Sequence, residues 1–148
     1  CALPICLWPA DQGFHVYFSG SQAAAGFIAG AVARESGITS LAGRTNLEEF
    51  IALVQKASLF IGGDTGPMHI AAANCPVVAI MGPTSAQKYG PYGQENNVVK
   101  ADLDCLGCNR RHCSHHLCMK NISPKMILDV AEQIFKKGGA RRLFAKKK

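Results

Sequence analysis

The sequence predicts an α/β fold built on a doubly wound, Rossmann-like parallel sheet. Short β-rich runs alternate with helical stretches from His15 onward, and the runs at Leu59–Ile61 and Pro76–Met81 are apolar throughout. Glycine turns close several of these runs, at Gly20, Gly62-Gly63 and Gly82. Such alternation implies parallel strands joined by right-handed crossovers, with ligands bound beyond the strands' carboxyl ends.

The elements follow in order. His15 to Phe18 alternates in polarity and reads as a strand, Ser19-Gly20-Ser21 as a tight turn, and the alanine-rich run Ala23 to Arg34 as a helix. Ile38 to Leu41 is a short strand. Asn46, with Glu49 three residues on, forms a capping box that opens a helix whose apolar face is Leu47, Phe50, Ile51 and Val54. The strand at Leu59 leads through Gly62-Gly63 into a small-residue helix over Pro67 to Asn74. Pro76 to Met81 is the next strand, with Gly82-Pro83-Thr84 at its end. Ser85 to Asn97 is turn-rich, Val98-Val99 is a brief strand, and a cysteine- and histidine-rich loop follows. The last helix starts with Ser123 as N-cap and Pro124 at its first position, buries Met126, Ile127, Val130, Ala131, Ile134 and Phe135, and stops at Gly138-Gly139.

Trp8 to Gly13 runs almost directly into the first strand and leaves no room for a helix before it. The expectation is a remnant over residues 1–13, a domain cut short at its N-terminus over 14–137, and a basic tail over 138–148. The apolar stretch Cys1 to Ala10 lacks a basic leading segment and a small-residue cleavage site, so it does not read as a signal peptide.

The 148 residues suffice for one domain with a core but not for a second full one. With 48% hydrophobic and 18% charged residues the chain is globular, and no apolar run approaches the roughly 18 residues of a membrane span. A soluble protein is expected. The formal charge of +6 does not point to nucleic acid, because seven of the 16 basic residues lie between Lys136 and Lys148. The rest of the chain has nine basic residues against ten acidic ones. A basic tail of this kind is a solvated end or a weak contact with an anionic membrane surface.

Chemistry concentrates in Gly62-Gly63-Asp64-Thr65-Gly66-Pro67-Met68-His69-Ile70-Ala71-Ala72-Ala73. A strand ends in two glycines, and a proline then opens a helix whose unpaired N–H groups suit a diphosphate. Thr65 and Gly66 would bring backbone amides close to the anion. His69, one turn in, would direct its ring back toward it. The structural alternative has Asp64 and Thr65 as helix caps and His69 as a packed histidine.

Downstream, Cys105-x2-Cys108-x4-Cys113-x4-Cys118, interleaved with His112, His115 and His116, has the composition of a zinc or iron–sulfur site. A disulfide-stapled loop and reduced thiols are the competing readings. In each case the loop is expected to be structural rather than catalytic.

The run Asp64 to Ala73, followed by Pro76 to Thr84, resembles the signature of glycosyltransferase family nine, the ADP-heptose:lipopolysaccharide heptosyltransferases. Leu41 to Glu49 is similar to the loop and helix start before that signature, and the spaced cysteines and the Ile122-Ser123-Pro124 helix also fit members. The resemblance covers roughly Phe14 to Lys137. It implies the C-terminal half of a glycosyltransferase B fold, which holds the ADP-sugar while an N-terminal domain binds the acceptor and supplies a catalytic aspartate.

By the same resemblance Asp64 contacts sugar hydroxyls, and Thr65, Gly66 and His69 contact the diphosphate. Gly20, Ser21 and Gln22 lie near ribose or phosphate, and Thr45 lies near the base. The implied reaction is inverting, needs no metal cofactor and delivers heptose to the lipopolysaccharide inner core. It takes place in the cytoplasm, at the inner face of the inner membrane. The chain departs from the family pattern in lacking the acceptor domain, in lacking the phosphate-holding basic and hydroxyl residues at the start of the C-terminal domain, and in having Gln22 where an acidic residue is usual. Two other readings are a nucleotide-binding domain without catalysis and a metal-binding interaction domain organised by the cysteine loop. A nicotinamide enzyme is disfavoured, since no Gly-x-Gly-x-x-Gly follows the first strand.

Overall fold

Local chemistry in the chain accounts for most of the element boundaries. The computed structural model describes residues 3–32, 36–110 and 112–138. The expected basic tail, apart from Gly138, lies outside these residues, as do Cys1 and Arg34. The chain divides into two compact units, Cys1–Ala52 and Leu53–Lys148.

In the first unit, α1 (Leu3–Asp11) precedes β1 (Val16–Phe18), followed by α2 (Gln22–Val32) and β2 (Ile38–Ser40). β1 and β2 pair in parallel, with Val16 opposite Ile38 and Phe18 opposite Ser40. The helix α1 corrects the expectation that no helix fits before the first strand. Two prolines hide it from a periodicity reading, but Pro4 falls in the first turn, where its missing N–H is no loss. Gly13, at φ 83°, then turns the chain toward β1.

The helix α3 (Leu47–Lys56) runs across the boundary between the units. Its start is the expected capping box: the Asn46 N–H donates to Glu49 Oε2, and the Glu49 N–H donates to Asn46 Oδ1, both at 2.9 Å. Phe50 and Val54 are buried, whereas Leu47 is 62% exposed. The apolar face therefore begins one turn later than its sequence pattern indicates.

In the second unit, β3 (Phe60–Gly63), α4 (Gly66–Ala72), β4 (Val77–Ile80), α5 (Ala86–Tyr89), β5 (Val98–Val99), α6 (Leu117–Lys120) and α7 (Pro124–Lys136) follow in order. The strands form a parallel sheet in the order β3-β4-β5, with Phe60 opposite Val77 and Ala79 opposite Val98. β4 is central, so Val77, Val78 and Ala79 are completely buried. Met68 and Ala71 of α4 and Ile127, Ala131 and Ile134 of α7 complete this core, with Met126, Val130 and Phe135 half-buried at its margin. Ser123 caps α7 by accepting from the Met126 N–H at 3.3 Å.

The Gln94 side chain joins strand to helix. Its Oε1 accepts from the Val77 N–H at 2.8 Å, while its Nε2 donates to the carbonyls of Ala72 and Cys75, both at 2.9 Å. The fold is α/β with parallel sheets, the described strands forming one ladder in each unit. Among the described residues no helix is long and apolar enough to cross a membrane.

Candidate functional site

Asp64 follows β3 directly, and Pro83-Thr84 lies just beyond β4. The space outside these carboxyl ends is an open cleft of about 620 Å³, lined by Asp64, Pro83, Thr84, Tyr89, Asn109 and Arg110. This is where adjacent parallel strands direct their helix-forming turns apart and leave room for a ligand.

The turn into α4 is opened by sequence. Thr65 occupies the N-cap position with an extended backbone, but its side chain makes no capping bond; Oγ1 instead donates to the Gly63 carbonyl at 3.4 Å. The Thr65 carbonyl accepts from the N–H groups of Met68 and His69. Pro67 has no N–H, so the Gly66 amide remains at the open end of the helix. A Cβ built on Gly66 meets no atom within 4 Å. Glycine there serves no packing need of the chain itself.

His69 is one turn along α4, and its Nε2 lies 3.5 Å from Asp64 Oδ1. The ring thus points back over the first turn, as the spacing predicts. Its side chain is 46% exposed and that of Asp64 20%, so the two form a pair at the cleft margin, ionic when the ring is protonated. The reading of His69 as a packed core histidine does not match this exposure.

The remaining expected donor contacts, Gly20, Ser21, Gln22 and Thr45, belong to the first unit. Gly20 to Gln22 form the turn after β1, and Thr45 lies in the loop after β2. The Gly43 N–H donates to the Gly20 carbonyl at 2.8 Å, which fastens that loop to the turn. Gly43 has φ 69°, and the Gln22 amide occupies the space that a Cβ there would need. Gln22 is therefore part of the turn's packing as well as an exposed side chain at its rim.

Among the described residues, no group of three or more His, Cys, Asp or Glu side chains is placed to hold a metal ion, and Cys105, Cys108, Cys113 and Cys118 are free thiols. Cys105 and Cys108 are exposed, the His116 N–H donates to Cys113 Sγ at 3.5 Å, and Cys118 lies on α6 near Gly82. Backbone donation from His116 and then His115, with smaller contributions from Arg110 and Lys120, holds the Cys113 thiol below its ordinary range.

The loop also reaches the cleft. The Asn109 N–H donates to the Pro83 carbonyl at 2.8 Å, Asn109 takes a left-handed backbone at φ 53°, and Arg110 comes to the cleft wall. The loop therefore forms part of the cleft wall. Tyr89, Asn109 and Arg110 were not evident from the sequence. The pairing of Asn109 with Pro83 spans 26 residues, and only the left-handed tendency of asparagine after Gly107 hinted at a turn.

Residues 8–119 match the glycosyltransferase family 9 (heptosyltransferase) family. Lipooligosaccharide heptosyltransferase 2 of Campylobacter jejuni is 33% identical over 103 residues, which is 67% of this chain and 32% of that protein. Lipopolysaccharide heptosyltransferase 2 of Escherichia coli K12 is 28% identical over 127 residues, 80% of this chain and 36% of that protein. Among solved structures, E. coli ADP-heptose LPS heptosyltransferase II superimposes with a TM-score of 0.76 at 22% identity, covering 93% of this chain and 41% of that one. A family 9 glycosyltransferase from Veillonella parvula gives the same score at 19% identity, over 91% and 40%. The chain spans about a third of the length of these two curated relatives. The parallel α/β fold accords with these matches: the chain belongs to glycosyltransferase family 9, the heptosyltransferase family.

Proposed function

We propose that this chain is the donor-binding portion of a heptosyltransferase that takes ADP-heptose and transfers heptose to the lipopolysaccharide inner core. The observation that carries the reading is the Asp64–His69 pair at the margin of the cleft, beside the open turn at Gly66. Asp64 hydrogen-bonds sugar hydroxyls as an acceptor, while the Gly66 amide and the His69 ring donate to the diphosphate. Thr65 contributes its backbone to the same turn.

When the glycosidic bond breaks, negative charge accumulates on the departing diphosphate. Donors already oriented toward it stabilise the transition state more than the ground state. The base that deprotonates the acceptor hydroxyl belongs to the acceptor-binding portion that the family pairs with this one. The product of the step is ADP, and the sugar is inverted at its anomeric carbon.

Calorimetric titration of the folded chain with ADP tests the reading. A charge-assisted hydrogen bond contributes about 1.5–3 kcal/mol, so His69→Ala should weaken binding roughly tenfold to a hundredfold. Gly66→Val should weaken it further by filling the space where a phosphate approaches, and Lys125→Ala on α7 is the control. Equal ADP affinity with and without His69 would remove the motif from the diphosphate site.

A further inference from the structure

We propose that Arg110, presented by the cysteine-rich loop, is the principal cationic contact for the donor's diphosphate, which makes that loop part of the donor site. The inference rests on the donor-binding reading above and names a residue that the family signature at Asp64 to Ala73 does not contain.

The argument begins with charge. A nucleoside diphosphate brings more than one negative charge into a cleft whose margin already carries the Asp64 carboxylate. His69 can contribute one positive charge at most, and its ring nitrogen is already directed at Asp64 from 3.5 Å. That one charge is shared with the Asp64 carboxylate, so a diphosphate beside the pair needs a further cation. Arg110 is the one cationic side chain among the described residues lining it.

Its state suits that part. Arg110 is exposed, and among the described residues it enters no ion pair; the pairs present are Asp64–His69, Lys125–Asp129 and Lys136–Glu132. A guanidinium offers a planar fork of donors matched to two phosphate oxygens. The backbone that presents it is anchored, since the Asn109 N–H donates to the Pro83 carbonyl at 2.8 Å. Two residues before Asn109, Gly107 adopts φ 74°, with Ser85 3.5 Å from the position its Cβ would take. The loop thus reaches the strand end through the contacts of Asn109 with Pro83 and of Gly107 with Ser85.

The test titrates ADP into the parent, Arg110→Ala, Arg110→Lys and His69→Ala chains at low and high sodium chloride, with circular dichroism as the folding check. Arg110→Ala should weaken ADP binding about tenfold to a hundredfold and flatten its salt dependence, and Arg110→Lys should restore the salt dependence with part of the affinity. If His69→Ala weakens binding while Arg110→Ala does not, the assignment of Arg110 is overturned and the donor-binding reading stands. A folded Arg110→Ala protein that loses affinity with unchanged salt dependence assigns Arg110 a structural part and also overturns the proposal. If the folded parent does not bind ADP, both readings are overturned.

Discussion

Single residues in this chain differ most in how their surroundings treat the same functional group, and the thiols show it best. Burial pushes the Cys75 thiol from its ordinary 9.0 up to about 11, because the thiolate loses its water there. The folded chain therefore keeps a proton that the unfolded chain releases above about pH 9. Stability is unaffected by Cys75 below that pH and should fall as pH rises from 9 toward 11. Urea denaturation across this window should show a smaller decline for Cys75→Ala than for the parent, and equal declines would count against it. Cys113 shows the opposite case. Exposure ranks Cys105 and Cys108 as more accessible, but backbone donation favours the Cys113 thiolate. Limited iodoacetamide treatment near neutral pH, read by peptide mass spectrometry, should find Cys113 alkylated first. Labelling of Cys105 or Cys108 ahead of it would show that access outweighs thiolate fraction.

Elements with local punctuation were legible from sequence. Asn46 with Glu49 and Ser123 with Pro124 place two helix starts because a cap needs only neighbours within one turn. The strands ending at Gly63 and Ile80 were legible because their apolar runs are bounded by glycine and proline turns. The helix α1 was not, since Pro4 and Pro9 resemble breakers, and α5 and α6 were not, since four residues are too few for a period to appear. In the site, the Asp64 to His69 run lies on one turn and was readable, whereas Arg110 depends on a contact between segments far apart in sequence. Gln94 is hidden for the same reason, and it yields a prediction at this scale. Gln94→Ala removes the side chain's three hydrogen bonds to the backbone of Val77 in β4, Ala72 in α4 and Cys75 between them, each contributing about 1 kcal/mol, along with the bond it accepts from the Asn97 amide. A loss of about 2–3 kcal/mol in urea denaturation is expected, and a loss below about 1 kcal/mol would mean that water replaces the amide.

At the scale of the whole molecule, the matched portion covers 32% of the Campylobacter heptosyltransferase and 36% of the E. coli K12 one. A glycosyl transfer needs a donor site and a base beside the acceptor hydroxyl, and the function proposed above assigns the described cleft to the donor alone. The purified 148-residue chain should bind ADP and yet give no heptosyl transfer to a lipopolysaccharide core acceptor. Product formed above the no-enzyme control by this polypeptide alone would contradict that division of labour. The anchored loop has one more consequence, in the dynamics of binding. Because the Asn109 amide is held by Pro83, it should exchange with deuterium more slowly than the exposed amides of Asp104 and Cys105. Arg110 would then wait in an ordered backbone, its conformational entropy already lost on folding. Tightening of the donor complex should accordingly come through a slower off-rate, with little change in loop exchange when ADP arrives.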